Sequence, residues 1–373
     1  MENLKRTPLY EEHVKLGAQM IPFAGYEMPL KYTSVKEEHL AVRNALGIFD
    51  VSHMGEIELR GKDALKFANY LVTNNVLDMK FGRVKYTPMC YEHGGEVDDL
   101  FVYNINEDFV LLVVNASNYE KDLKFVLDHK DGFDVEVLGK TEDYGEVAIQ
   151  GPKAEEFLKN YFEGSAPLEK LGYFKATYGK LFGVNVLISR TGYTGEDGFE
   201  VYASPEEIGI IWNESLKKGE AFGIKPAGLG ARDSLRFEVC YWLYGNDIDE
   251  TTNPFEAGQD FAVKMDKENF VGKVALEKVL KDGIKRKLTG FKVLSGGIPR
   301  HGMKIYNEEG IEVGHITSGN MSFIRNEILA LGYVKIEYTS IGTHLKVADS
   351  ARTFELEVIP TPFIEPRAGK KKV

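Results

Sequence analysis

Apolar positions recur along the chain with two periods, and the switches between them mark the elements. From Ser34 to Leu46 the spacing is helical. Ser34 with Glu37 three residues on reads as a capping box there, and Gly47 as a stop signal. Ile48–Gly61, IFDVSHMGEIELRG, alternates like a pair of strands. Asp63–Val72 returns to helical spacing, with Leu65, Ala68 and Leu71 on one stripe. Phe81–Asn118 predicts a run of strands at Lys85–Cys90, Leu100–Tyr103 and Val110–Val114. Tyr119–His129 predicts a helix, and Gly145–Gln150 and Val184–Ser189 predict strands. Ser204-Pro205-Glu206-Glu207 reads as a helix start, continued by Ile208, Ile211, Trp212 and Leu216. Ala227–Asp233, AGLGARD, reads as a Gly-rich turn leading into Ser234–Tyr241. Asn246–Gly258 is polar and turn-rich and marks a domain boundary. Beyond it a helix over Gly272–Lys281 precedes short strands, with turns at Asn307–Gly310, Ser318–Asn320 and Ser340–Gly342. That spacing predicts a small β domain.

One stretch breaks the pattern. Gly94–Tyr103, GGEVDDLFVY, sets two adjacent aspartates between a glycine turn and an apolar strand. Neighbouring strand residues point to opposite faces, so Asp98 and Asp99 cannot both face one cavity. An acid turned into an apolar interior needs partners or a task. The alternative is a pair of turn carboxylates bonded to nearby backbone N–H groups. A second polar cluster is Arg190–Glu200, RTGYTGEDGFE, with three glycines and three acids.

Composition narrows the class. The 373 residues suffice for two or three domains, and 43% hydrophobic with 28% charged residues describes an ordinary globular protein. The net charge of −11 argues against broad nucleic-acid binding. Two cysteines, Cys90 and Cys240, make no disulfide framework and read as free buried thiols. No apolar run approaches the roughly 18 residues of a membrane span, and the N-terminal stretch has no secretory or transit pattern. A cytoplasmic protein is the expectation. The basic tail Lys370–Lys372 reads as a solvated end.

Several chemistries lose support. GLGARD lacks the third glycine of a dinucleotide fingerprint, and no phosphate-binding GxxxxGK[ST] or GxSxG elbow occurs. The eight histidines are scattered without zinc-ligand spacing. The residues alone give a mixed α/β chain with a small-molecule site.

The ordered series FAGYEMP, FDVSHMGE, GGEVDDLFVY, VVNASN, IQGPKA, SRTGYTGEDGFE, AGLGARDSLR, LYGNDID, NPFEAG, FVGKVAL and ITSGN resembles the aminomethyltransferase (T-protein) family of the glycine cleavage system. It runs from about Phe23 to Asn320. The resemblance implies an α+β, three-domain cloverleaf around a central folate site. It implies a discontinuous first domain (1–51 and 145–245), a ferredoxin-like second domain (52–144) carrying Asp99, and a C-terminal β barrel (246–373). It also implies the reaction. The lipoyl arm of H-protein brings an aminomethyl group, and tetrahydrofolate takes the methylene as 5,10-methylene-tetrahydrofolate. Ammonia leaves, and the dihydrolipoyl arm remains. Tetrahydrofolate is then a co-substrate, with no metal and no flavin, and with no nucleic acid or membrane among the partners. Another tetrahydrofolate-dependent demethylase, or a folate-binding module without activity, would share the fold.

Carried over by residue, the resemblance makes Asp99 the catalytic acid and Asp98 structural. It puts Met54, Tyr86, Phe101, Tyr103, Asn115, Tyr173, Tyr193, Glu200, Arg232 and Tyr241 at the folate. Asp99, Phe101 and Tyr103 alternate along one strand and share a face. Asn115 is expected on the pterin amide edge, Glu200 on its donor edge, and Arg232 on the carboxylates of the folate tail. Without the family, Arg232 would equally suit an ion pair with Asp233, and Glu196 and Asp197 read as solvated turn acids. This chain departs from relatives at Phe101 and Gln259, where aliphatic residues are usual. It departs also in its tail FIEPRAGKKKV, so Arg367 receives no site role. H-protein and this chain are both acidic on this reading, which predicts a local cluster of Lys and Arg at the pocket mouth.

Overall fold

The computed structural model describes residues 4–348 and 353–369. Three sheets organise the chain. The central sheet has seven strands, ordered Phe162–Gly164, Ala176–Leu181, Val184–Ser189, Gly198–Ala203, Gly145–Gln150, Leu46–Asp50 and Ile224–Pro226. Strand Leu46–Asp50 pairs antiparallel with Gly145–Gln150 across the whole intervening segment. Every residue of those two strands is buried, the polar Asp50, Glu146 and Gln150 included. Helix Ile208–Gly219 covers this core through Ile208, Ile211 and Trp212.

The intervening segment forms its own antiparallel sheet, ordered Arg83–Cys90, Glu96–Asn106, Phe109–Val114, Gly55–Arg60 and Glu136–Gly139. Helices Ala64–Leu71 and Tyr119–Asp128 pack on it through Phe67, Leu71, Phe125 and Val126. This is the helix-and-antiparallel-sheet plan of a ferredoxin-like unit with five strands in place of four. The alternating pair expected over Ile48–Gly61 is therefore no hairpin. Leu46–Asp50 belongs to the central sheet and Gly55–Arg60 to the inserted one. The third sheet is a closed six-stranded barrel of Arg286–Ser295, Glu327–Lys335, Glu312–Ser322, Lys304–Tyr306, His344–Ala348 and Thr353–Ile359.

Several local expectations are corrected. The Gly-rich stretch at 227–233 is not a turn. Helix Leu229–Glu238 begins inside it, and Gly228 is its N-cap. A Cβ on Gly228 would lie 2.4 Å from the Leu30 carbonyl oxygen, so the glycine permits close backbone approach. Helix Val35–Asn44 takes the Ser34 cap, its hydroxyl accepting from the Glu37 N–H at 3.1 Å, but Gly47 lies within the next strand. Helix Ile208–Gly219 starts four residues after Ser204. Ser318–Asn320 is no turn either. It lies inside strand Glu312–Ser322, where the register shifts between Ile316 and Ser318. That bulge turns Thr317 and Ser318 toward Asp247. The strand of the DD pair is longer than expected and begins at Glu96. The barrel strands begin at Arg286, and the stretch before them packs Phe255, Val263, Phe270 and Leu276 on Cys90 of the inserted sheet. The basic tail Lys370–Lys372 lies outside the described residues.

Buried ions join the parts. Arg236 bonds Asp247 at 2.5 Å, Asp233 at 2.8 Å and the Ser318 hydroxyl at 3.1 Å. Asp247 also accepts from Thr317 at 2.5 Å and Ser318 at 2.7 Å, and the Tyr333 hydroxyl donates to its backbone carbonyl. Thr317, Ser318 and Tyr333 are barrel residues, so one cation and one anion fasten the barrel to the centre. Glu196, expected as a solvated acid, is 4% exposed. It bonds Arg43 at 2.9 Å and Arg367 at 2.6 Å, because the chain after the barrel folds back over it. Asp197 pairs with Arg190 at 2.6 Å.

Candidate active site

A cavity of about 480 Å³ lies where the inserted sheet, the central sheet and the helix of the GARD motif meet. Ten of the eleven expected site residues line it: Met54, Tyr86, Asp99, Phe101, Asn115, Tyr173, Tyr193, Glu200, Arg232 and Tyr241. Tyr103 does not. It shares the face of Asp99 and Phe101, but two residues further on the strand has passed the cavity. Its hydroxyl meets Ser189 at 3.2 Å and Tyr202 at 3.0 Å between the two sheets, and the residue is fully buried.

The two aspartates divide as strand alternation requires. Asp98 points away from the cavity and is held by three donors. It accepts from the Asn115 N–H at 2.9 Å, the Asn115 amide at 2.8 Å and the Asn118 amide at 2.6 Å. Asp99 points into the cavity. The Tyr86 hydroxyl donates to its Oδ2 at 2.9 Å, and Asn115 Nδ2 to its Oδ1 at 2.9 Å. Asn115 thus spends its amide N–H groups on the acid pair and leaves only its carbonyl for a ligand, short of the pterin-edge role expected. Burial, then the neighbouring Asp98 charge, push Asp99 up to about 7, against the pull of the Tyr86 and Asn115 donors.

Flat rings wall the mouth. Tyr86, Trp242 and Phe261 form a triangle of near-parallel rings: Tyr86 lies 5.8 Å from Trp242 at 14° and 6.0 Å from Phe261 at 20°, and Trp242 lies 6.2 Å from Phe261 at 27°. Phe101 meets Tyr86 edge-on. Phe261 is 59% exposed, so one face of this stack is open to solvent. The Tyr193 hydroxyl donates to the Trp242 carbonyl, and its ring lies 4.8 Å beneath the Arg232 guanidinium.

The floor carries the charge. Glu200 accepts from the Thr191 hydroxyl, and burial raises its pKa against that bond and Arg232. Glu146 is pushed well up by burial and then by Glu200. The pairing of Asp233 with Arg236 leaves Arg232 to the cavity. Its charge reaches Glu200, Glu146 and His53, which are floor residues. Arg232 is the one Lys or Arg among the described residues lining the cavity, so the expected basic cluster is not formed by that lining.

Sequence reasoning missed His53, Glu146, Phe23, Trp242 and Phe261, all in the lining. His53 sat in plain view beside Met54. It is 3% exposed, its Nδ1 has no partner among the described residues, and burial then Arg232 push it down to about 4. Glu146 had no signal, since a lone acid in an apolar strand shows its direction only once the strands are paired. No cluster of three or more His, Cys, Asp or Glu side chains suited to a metal occurs among the described residues, and no described helix is long and apolar enough to cross a membrane.

Comparison with known proteins adds independent findings. The family described as GCVT N-terminal domain matches residues 9–267, and the glycine cleavage T-protein C-terminal barrel domain matches 286–365. An aminomethyltransferase of Halothermothrix orenii is 47% identical over 361 residues, covering 97% of this chain and 100% of that one. One from Thermosipho melanesiensis is 45% identical over 370 residues, covering 99% of each. The crystal structure of glycine cleavage system aminomethyltransferase T from Bartonella henselae superposes with a TM-score of 0.90 at 32% identity, covering 99% of this chain and 100% of that one.

Proposed function

Because the chain belongs to the glycine cleavage T-protein family and catalyses aminomethyl transfer, we propose that its cavity binds tetrahydrofolate and admits the lipoyl arm of H-protein, in the cytoplasm. In this reading the pterin lies against the aromatic wall with its donor edge on Glu200, which can accept two N–H bonds at once. Arg232 favours the charged form of Glu200, a role on the floor in place of the tail contact implied by the resemblance. Tyr86, Trp242 and Phe261 supply flat contacts. Asp99, held between Tyr86 and Asn115, faces the folate nitrogen that takes the methylene. Its carboxylate orients that nitrogen; two C–N bonds to the folate replace the C–S and C–N bonds of the aminomethyl group, and the two N–H protons end on the lipoyl sulfur and the departing ammonia, one of them relayed by Asp99.

The observation that carries the reading is the cavity-facing acid, poised near neutrality and fixed by two donors at 2.9 Å. The test supplies tetrahydrofolate and aminomethylated lipoyl carrier and follows ammonia and methylene-tetrahydrofolate together. One-to-one formation is expected. Folate binding without turnover on that donor would overturn the proposal and point to a different one-carbon donor.

A further inference from the structure

A second acid stands behind Asp99. Glu96 is fully buried at the start of the same strand, and Gln259, also fully buried, lies between it and Tyr86. The contacts form one line. The Tyr86 hydroxyl is 2.9 Å from Asp99 Oδ2. One end of the Gln259 amide is 2.9 Å from that hydroxyl. The other end is 2.9 Å from Glu96 Oε1 and 3.2 Å from Oε2.

Counting hydrogens constrains this line. If the amide NH2 faces Tyr86, the hydroxyl is free to donate to an ionised Asp99. The amide oxygen then faces Glu96 at 2.9 Å, and two bare oxygens cannot sit so close, so Glu96 carries the proton. If the amide is turned over, its NH2 donates to an ionised Glu96 and its oxygen accepts the Tyr86 hydrogen. Tyr86 then has nothing to give Asp99, and Asp99 itself carries the proton and donates to Tyr86. Each arrangement is satisfied throughout with one proton on the two acids. With none, one contact in the line lacks a hydrogen; with two, the extra proton must sit on a carboxyl oxygen outside the line, and at Asp99 that oxygen already accepts from Asn115.

We infer that Glu96 is a positioning residue for the transfer reaction: through Gln259 and Tyr86 it shares one proton with Asp99, and the orientation of the Gln259 amide records which acid holds it. The inference rests on the catalytic role proposed for Asp99. Burial acts in its favour by pushing Glu96 well above the usual carboxylate range, with Asp99 the next cause. Other groups facing the line are Asp98, Asp249, Cys90 and Tyr333 around Glu96, and Asp98, Asp122 and Tyr193 around Asp99. Gln259 is the component that an aliphatic residue could not supply, since only a group with a donor at one end and an acceptor at the other transmits the choice.

Infrared spectroscopy of the protein alone reads the proton directly. The carboxylic-acid carbonyl band is compared in wild type, Glu96→Gln, Asp99→Asn and the double variant. Sharing predicts that each single variant removes the same one-proton band and that the double removes nothing more. Two separate bands, lost one by one and added together in the double, would overturn the inference. In Gln259→Leu the two acids are expected to respond separately. Kinetics give a second readout that mere packing would not move. Glu96→Gln removes the rival acid but keeps a donor toward Gln259, so the acidic limb of the single-turnover rate shifts to lower pH by about one unit or more. An unmoved limb would sink the coupling. The infrared arm needs no ligand, so it fails or succeeds independently of folate turnover.

Discussion

Asp99→Asn is expected to lower turnover by roughly 10²–10⁴-fold, the usual worth of a placed proton-transfer group and the role proposed for this acid. Tetrahydrofolate affinity stays within a few-fold, because Glu200, Arg232 and the aromatic wall are untouched. Asparagine keeps the shape and can still accept from Asn115, so the loss falls on the reaction step. The pH dependence sharpens the expectation. Asp99 is pushed up to about 7, so the wild-type rate rises with pH through that region as the carboxylate forms. That limb is absent in the variant. Stability moves in the opposite sense. Between about pH 4 and 7 the folded state holds a proton that the unfolded state has released, so wild-type stability falls as pH rises through that window. Asp99→Asn removes this penalty and melts higher than wild type at pH 8. The gain is at most about 4 kcal/mol, and sharing with neighbouring acids makes it smaller. Rate and melting curves on the same preparation check both signs. A variant with wild-type turnover would remove Asp99 from the chemistry.

Arg236→Met is expected to cost about 3–5 kcal/mol, the usual effect of removing one partner from a buried pair. Asp247 would be left wholly buried, with its hydroxyl donors but without its cation. Methionine fills much of the space, so the loss is electrostatic more than a cavity effect. Arg236 bonds Asp233, Asp247 and Ser318 together, so the damage concentrates at the barrel junction. Calorimetry should show a lower and broader transition, with the barrel separating from the rest. Changing Asp247 to Asn in the same chain should recover part of the loss, since the uncompensated charge is gone. A melting temperature within a degree or two of wild type would show that the pair carries no net stability.

Much of this architecture was legible in the sequence, and the failures share a cause. Strands Arg83–Cys90, Phe109–Val114 and Gly145–Gln150 stood out because their periodicity is local. The opposed fates of Asp98 and Asp99 followed from strand alternation alone. Reading 227–233 as a turn failed because glycines that let Gly228 approach Leu30 look the same in sequence as glycines that bend the chain. Ser318 was mistaken for a turn residue because a bulge that aims a hydroxyl at Asp247 uses turn-like residues. Glu196 was read as solvated because its partners, Arg43 and Arg367, lie far away along the chain. Tyr103 was placed on the right face but one repeat too far. In each case the deciding contact was distant in sequence, where periodicity carries no information.

The insertion between strands Leu46–Asp50 and Gly145–Gln150 imposes an order on folding. Asp50 pairs with Val147, roughly a hundred residues later, and closing so long a loop in an open chain costs about 4 kcal/mol of entropy. Within the inserted sheet, Arg83–Cys90, Glu96–Asn106 and Phe109–Val114 join as short-range hairpins and form first, and Gly55–Arg60 then closes on Phe109–Val114 and Glu136–Gly139 across longer stretches. Once formed, it delivers the two central strands to each other as anchored ends, and most of the entropy has already been lost. Amides of Glu96–Asn106 should therefore gain protection before those of Gly145–Gln150 in pulsed hydrogen exchange, and simultaneous protection would contradict this order. The strand that bears Asp99 is then among the first parts of the molecule to become ordered. The cavity around it is completed only when the flanking chain arrives.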